Sequence, residues 1–404
     1  MRQAAAVMPQ ALKIAIVTET FPPEINGVAR TIGRMTSVLA QRGHRIQLIR
    51  PRQGDADTTS DESSLQQVLV RGLPIPNYRE LRIGLPAKRL LMQLWRDERP
   101  DVVHVVTEGP LGSSALRAAK VLGLPVASDF HTNFQTYSKH YGLGLIGKFV
   151  SAYLRNLHNK ADCTMVPTMQ VRDQLEALGY RNLTVVGRGI DTGLFGPHRR
   201  SVHLRQSWGC ANGQTVALYV GRLAPEKNIG LFIRAVTAMQ KVDPGVRAVL
   251  VGDGPLREKL RSSYPDFTFA GVRTGEDLAA HYASADVFLF PSVTETFGNV
   301  TLEAMASGLA VTAYGYAAAA QYIAHGESGL LAPVGQEKHF IKCAVSLALD
   351  LALRERVRSA AREIATALSW DRVIDDLELA FHDVIRRNSL IAPKLKAMLS
   401  RQAS

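Results

Sequence analysis

Short apolar, β-branched runs recur along nearly the whole chain, and each gives way to a stretch with helical spacing. This alternation constrains the fold more than any other feature. In the first half the runs lie at Lys13–Thr18, Arg45–Arg50, Val102–Val106, Val126–Phe130, Cys163–Val166 and Thr184–Val186. In the second half they lie at Val216–Val220, Ala248–Val251, Phe267–Ala270, Val287–Phe290 and Ala310–Ala313, with a shorter run at Gly329–Leu331. Ala-Val-Leu-Val and Val-Phe-Leu-Phe are apolar at every position, as strands covered on both faces must be; a half-solvated sheet would alternate. Between the runs, Gly230–Lys241 and Leu278–Ser284 carry the spacing of crossover helices. A chain of 404 residues is too long for one compact core. Two successive βα series therefore predict an α/β protein made of two Rossmann-like, doubly wound parallel-sheet domains.

The glycines of Gly187–Phe195 break both helix and strand and mark the join. The predicted domains are residues 1–188 and 189–371, with a helix at about 372–390 packing back on the first. Residues 384–404 hold five Lys or Arg and no acid, so 391–404 reads as a basic, frayed tail. Residues 53–64 (QGDADTTSDESS) read as a mobile polar loop.

The net charge of +12 favours an anionic partner: a nucleotide sugar, an anionic membrane surface or nucleic acid. No basic tract is interleaved with aromatics as single-strand binders require, which leaves nucleic acid the weakest of the three. No apolar run approaches the roughly 18 residues of a spanning helix, and the N-terminus lacks a signal-peptide pattern. Cys163, Cys210 and Cys343 lie far apart with no metal-ligand spacing. They read as buried thiols of a cytoplasmic protein.

In an open parallel sheet, ligands sit at the carboxyl ends of the strands. The strand Val287–Phe290 runs into Pro-Ser-Val-Thr-Glu-Thr-Phe-Gly-Asn-Val-Thr-Leu-Glu, in which seven residues separate Glu295 from Glu303. Thr296, Phe297, Gly298 and Asn299 supply a turn and a helix start, whose backbone N–H groups suit a phosphate. Glu295 precedes that helix and Glu303 lies about two turns into it. Carboxylates there can accept hydrogen bonds from sugar or ribose hydroxyls. By spacing alone they are equally a helix N-terminal acid and a solvated helix acid. Arg222 and Lys227 follow the strand Val216–Val220 and precede a helix, so two cations and a helix N-terminus converge as a diphosphate site would need. A solvated basic turn is the competing reading. Gly27, after Asn26, permits close approach to the loop that follows the first strand, as would an ordinary tight turn. His131 ends a strand, where a lone histidine is either structural or catalytic. His104, within Asp-Val-Val-His-Val-Val, reads as core.

The stretch from Glu295 to Glu303 resembles the Glu-x7-Glu motif of the retaining glycosyltransferases of family 4, which have the two-domain GT-B fold. Thr18–Val28 resembles the family's acceptor-facing first loop, Asp129-Phe130-His131-Thr132 its catalytic-loop histidine, and Gly221–Asn228 its phosphate clamp. Val251–Pro255 resembles the next strand end. The resemblance covers about residues 12–380 and implies two facing domains. It also implies transfer of a hexose from a nucleoside-diphosphate sugar to a hydroxyl of a lipid-linked or saccharide acceptor, with retention of configuration.

In that reading Arg222 and Lys227 neutralise the leaving diphosphate, so neither a metal nor another cofactor is needed. Glu303 holds the ribose, Glu295 the transferred sugar, and His131 stabilises charge near the anomeric carbon. The acceptor enters past Asn26 and Gly27. GDP-mannose is the expected donor, with a UDP-sugar as the alternative. In Ala313–Gln321, four alanines and a Gln stand where many relatives carry paired glycines and a Glu. That departure resembles the branch acting on glycolipids, which includes α-mannosyltransferases and sulfoquinovosyltransferases.

Residues 139–160 hold four Lys or Arg and no acid, with Ile146, Phe149, Val150, Tyr153, Leu154 and Leu157 at helical spacing. Such a helix either lies on the inner face of an anionic membrane or packs on the first sheet. Asp55-Ala56-Asp57 resembles a metal-binding DxD, but its polar loop makes a solvated turn the expectation. A sugar-nucleotide epimerase or an NAD-type oxidoreductase would need a GxGxxG turn after the first strand, and Thr18–Gly27 has none. A non-catalytic nucleotide-sugar binder would not need the intact set of His131, Arg222, Lys227, Glu295 and Glu303.

Overall fold

The computed structural model describes residues 11–402, apart from 25, 55–56, 58, 60–62, 76–77, 132–143, 212 and 296. Asp55, Ala56 and Thr296 thus lie outside the described residues. The chain divides into two compact units, the first running up to Gly187 and resuming at Asp371, the second spanning Arg188–Trp370.

The first unit holds a seven-stranded sheet of order β3-β2-β1-β6-β7-β8-β9. Its strands are β1 (Lys13–Val17), β2 (Arg45–Pro51), β3 (Leu65–Val70), β6 (Val102–Val105), β7 (Val126–Asp129), β8 (Cys163–Val166) and β9 (Leu183–Val185). Every pairing in it is parallel. β4 (Gly72–Ile75) and β5 (Tyr78–Gly84) form a separate antiparallel pair. The helices are α1 (Gly27–Gln41), α2 (Lys88–Asp97), α3 (Pro110–Leu122), α4 (Gly144–His158) and α5 (Met169–Ala177). Chain reversals are closed by ordinary capping chemistry. Asn26 caps α1 and Thr168 caps α5, while Gly123 ends α3 at φ 62°, where a side chain would be strained.

The second unit holds a six-stranded parallel sheet of order β12-β11-β10-β13-β14-β15. Its strands are β10 (Val216–Val220), β11 (Arg247–Val251), β12 (Thr268–Gly271), β13 (Val287–Phe290), β14 (Ala310–Tyr314) and β15 (Leu330–Ala332). Its helices are α6 (Val202–Ser207), α7 (Ile229–Val242), α8 (Arg257–Ser263), α9 (Gly275–Ser284), α10 (Asn299–Ala306), α11 (Ala317–Tyr322), α12 (Glu337–Leu349) and α13 (Leu351–Thr366). β10, β13 and β14 are buried at every position, and Tyr219, Phe232, Tyr282, Phe288 and Phe340 fill the core on both faces. Each large side chain so buried contributes roughly 1.5–3 kcal/mol of apolar transfer.

In both sheets the strand order reverses direction after the first strand. The switch lies between β1 and β6 in one unit and between β10 and β13 in the other, and there the connecting loops diverge to leave a crevice.

Three sequence expectations change. The strand Leu65–Val70 and the β4–β5 pair carry too few apolar residues in register to be read in advance. The polar loop at 53–64 is not simply solvated: Arg50 grips Asp57 with two hydrogen bonds of 2.6 and 2.8 Å, and Asp57 also accepts from the Gln53 N–H. The stretch read as a frayed tail continues α14 (Trp370–Gln402).

α14 returns to the first unit through a buried ionic clamp. The Leu12 N–H donates to His44 Nδ1 at 3.0 Å, so the ring proton must sit on Nε2, which donates to Glu378 at 2.8 Å. The other oxygen of Glu378 accepts from Arg42 at 2.9 Å, and Arg42 also pairs with Asp375. Removing Glu378 would strand the His44 Nε2–H in the interior, while Arg42 keeps Asp375. Glu378→Ala is expected to lower stability by about 3 kcal/mol in urea unfolding and to expose α14 to protease.

Candidate active site

In the second unit, β10 ends at Val220 and the chain turns through Gly221 and Arg222 into a single 3₁₀ turn, Pro225–Lys227. Asn228, at φ 54°, then redirects it into α7. β13, the neighbour of β10, ends in a loop that carries Ser292, Thr294 and Glu295 to Gly298, which at φ 87° opens α10 with no side-chain cap. The two loops meet across the switch point. Lys227 Nζ lies 2.5 Å from Glu295 Oε1, the same oxygen accepts from Ser292 Oγ at 2.7 Å, and both side chains of the pair are more than four-fifths buried. Thr294 donates to the backbone carbonyl of Glu226 at 3.3 Å, tying the loops again. Arg222 remains more exposed, 3.7 Å from the buried carboxylate of Glu226.

Close backbone approach builds the floor. Gly252, at φ 136° after β11, packs so near β10 that a Cβ there would lie 2.0 Å from the Gly221 carbonyl oxygen. No side chain fits, which explains the glycine of Val251–Pro255. Phe297 is buried against Tyr322, and the Ala318 N–H donates to its carbonyl at 2.8 Å. The alanine-rich segment is thereby fastened to the Glu295 loop as the first turn of α11, with Ala317 at φ 52°.

Glu303 points inward from α10. Its carboxylate accepts from Tyr282 Oη at 2.8 Å, and the residue is only 5% exposed. It is therefore neither the solvated helix acid that spacing allowed nor an open surface group. Tyr282, which the sequence did not single out, is its immediate partner.

In the first unit the Asn26 amide is engaged at both ends. Its Oδ1 accepts from the Ala29 N–H at 2.8 Å as the cap of α1, and its Nδ2 donates to Thr20 Oγ1 at 2.7 Å. Gln53 joins this loop by donating to the Phe21 carbonyl and to Glu24. Gly27 is the first residue of α1. The loop is thus held in shape by the side chains that sequence reading had aimed at an acceptor.

Two further groups line the strand ends. His131 Nε2 lies 3.0 Å from Asp129 Oδ2, and His104, buried in the core as its sequence context predicted, lies 3.3 Å from the same oxygen. Glu19, directly after β1, reaches into the switch-point crevice and accepts from the Leu111 N–H at 2.9 Å. Its carboxylate occupies the place a Cβ on Gly109 would take. Burial chiefly, helped by repulsion from Glu108 and opposed by the Leu111 and Gly112 N–H groups, pushes its pKa up to about 7. No spacing signal in the sequence marked Glu19 or Asp129; only the fold gives them neighbours.

Residues 25–194 match the profile described as Glycosyltransferase Family 4, and residues 214–350 that described as Glycosyl transferases group 1. A GDP-mannose-dependent alpha-mannosyltransferase of Mycobacterium tuberculosis is 34% identical over 93% of this chain and 97% of its own. One of the same description from Mycolicibacterium smegmatis is 35% identical over 94% and 100%. Sulfoquinovosyl transferase SQD2 of Arabidopsis thaliana is 29% identical over 89% and 71%. Among solved structures, sucrose-phosphate synthase from Thermosynechococcus elongatus superposes with a TM-score of 0.76 at 18% identity, covering 93% of this chain and 100% of that one. Two Rossmann-like sheets with strand-end loops of this kind define a GT-B glycosyltransferase. The chain belongs to glycosyltransferase family 4 and is an enzyme of that class.

The raised pKa of Glu19 has a definite sign. Between about pH 4.5 and 7 the unfolded chain loses this proton while the folded one keeps it, so the residue costs stability as pH rises through that window. Glu19→Gln, which can still accept from Leu111, is expected to stabilise the protein by about 2–3 kcal/mol at pH 8 and negligibly at pH 4. Thermal melts of both proteins across that range measure it.

Proposed function

We propose that the protein transfers mannose from GDP-mannose to a hydroxyl of a glycolipid, retaining the anomeric configuration and needing no metal. The observation that carries this reading is the buried Lys227–Glu295 pair at the switch point of the second unit. It is supported by mannosyltransferase relatives that span nearly the whole chain.

A diphosphate outcompetes a single carboxylate for a lysine. Donor binding would draw Lys227 to the leaving phosphates and release Glu295 to receive hydroxyls of the sugar. Arg222 supplies the second cation, and the uncapped start of α10, with Phe297, Gly298 and Asn299 beside it, supplies backbone donors. Glu303, which accepts from Tyr282, is the carboxylate we assign to the ribose. We assign charge stabilisation during transfer to His131. The diphosphate itself takes the acceptor proton as the new bond forms on the face from which it departs. Charge from Lys227 and Arg222 does the work a metal would do, so full turnover in EDTA is the outcome expected.

The donor is tested by thermal shift against a panel of nucleotide sugars, followed by radiolabelled transfer to membrane lipid and NMR of the new linkage. GDP-mannose should give the largest shift and an α-product. A larger shift with a UDP-sugar would replace the donor while leaving the enzyme class intact. Lys227→Ala should cut turnover at least about a hundredfold, because it removes charge stabilisation at the leaving group. Near-normal turnover would overturn that role.

We also propose contact with an anionic membrane surface through α4. Leu154 and Leu157 of this helix are buried, whereas Phe149 is 75% and Tyr153 41% exposed. Lys148 and Arg155 flank them. No described helix is long and apolar enough to cross a membrane. Phe149→Ser should weaken co-sedimentation with vesicles containing anionic lipid about tenfold, and binding indifferent to salt and lipid charge would refute the contact.

A further inference from the structure

Asp129 ends β7 with its side chain 2% exposed, and His104, from the adjacent strand β6, is 1% exposed. Both imidazoles bring Nε2 to one carboxylate oxygen, Asp129 Oδ2: His131 at 3.0 Å and His104 at 3.3 Å. Burial alone would push this acid up, but the attraction of His104 and the hydrogen bond from His131 outweigh it and hold the carboxyl well below its usual range. Oδ2 is therefore an acceptor only, and the proton between it and His131 must belong to Nε2. Behind the pair, His104 sits edge-on to Phe381 of α14, with ring centroids 5.4 Å apart.

We propose that Asp129 is a positioning residue for the transfer reaction: it fixes the orientation and tautomer of the His131 ring, with Nε2–H turned toward the carboxylate. This rests on the reading of His131 as a catalytic group. His104 braces the carboxylate and meets no substrate.

The ring tautomer gives a readout independent of turnover. In protein labelled with ¹⁵N-histidine, with His131→Gln used to assign its signals, wild-type His131 should show a protonated, hydrogen-bonded Nε2. Asp129→Asn keeps the shape but loses the charge, and its amide can turn to donate instead of accept. The variant should shift His131 toward the Nδ1–H form and lower kcat by roughly tenfold to a hundredfold, while donor KM moves less than about threefold. A bare Nε2 in the wild type overturns the proposal, and that measurement requires no variant of Asp129 to fold. Loss of turnover in His131→Gln beside full turnover in a folded Asp129→Asn overturns the proposal alone. Full turnover in His131→Gln overturns the catalytic reading and the proposal with it.

Discussion

Parallel strands cannot be joined by tight turns, and this constraint organises everything else in the protein. Each strand must return through a crossover that covers one face of the sheet, so both faces become apolar and the polar loops collect at the strand ends. In both units the winding reverses beside the first strand, and there the loops separate. Lys227 and Glu295 meet at that place in one unit, and Glu19 reaches it in the other. In each unit the topology carries charged groups to the strand ends, where backbone N–H groups and a crevice meet.

The buried carboxylates are held in different ways, and the difference matters for chemistry. Lys227 and Glu295 lie in loops and pair with each other across the switch point, an arrangement that a more highly charged ligand can displace. Glu378 with His44, and Asp129 with its two imidazoles, lie against strands and helices, where partners cannot be exchanged without leaving a charge buried. The first kind suits a binding site that must open and reload. The second suits fixed geometry: α14 fastened to the first unit, and a histidine ring held in one tautomer.

Legibility in the sequence followed burial. Strands apolar at every position, such as Val216–Val220 and Val287–Phe290, stood out because a run of that kind has few other uses. Leu65–Val70 did not, since it is only partly buried and two of its six residues are glutamines. The loops after the strands were also legible as places: Arg222, Lys227, Glu295, Phe297 and Gly298 all lie where the strand-end rule put them. Their partners were not. That Glu295 takes Lys227, that Glu303 takes Tyr282, and that the Asn26 amide is engaged in capping α1 depend on residues distant in sequence or on a local turn that spacing does not reveal.

Local sequence thus determined the alternation of strand and helix, the two-domain α/β architecture and the motifs that place the chain in its family, because hydrophobic period and turn chemistry act over a few residues. Tertiary structure alone decided which carboxylate is paired, buried or raised in pKa. Asp129 between two histidines, and Glu19 filling the space left by Gly109, are statements about distance and desolvation, and those quantities exist only once the strands lie side by side.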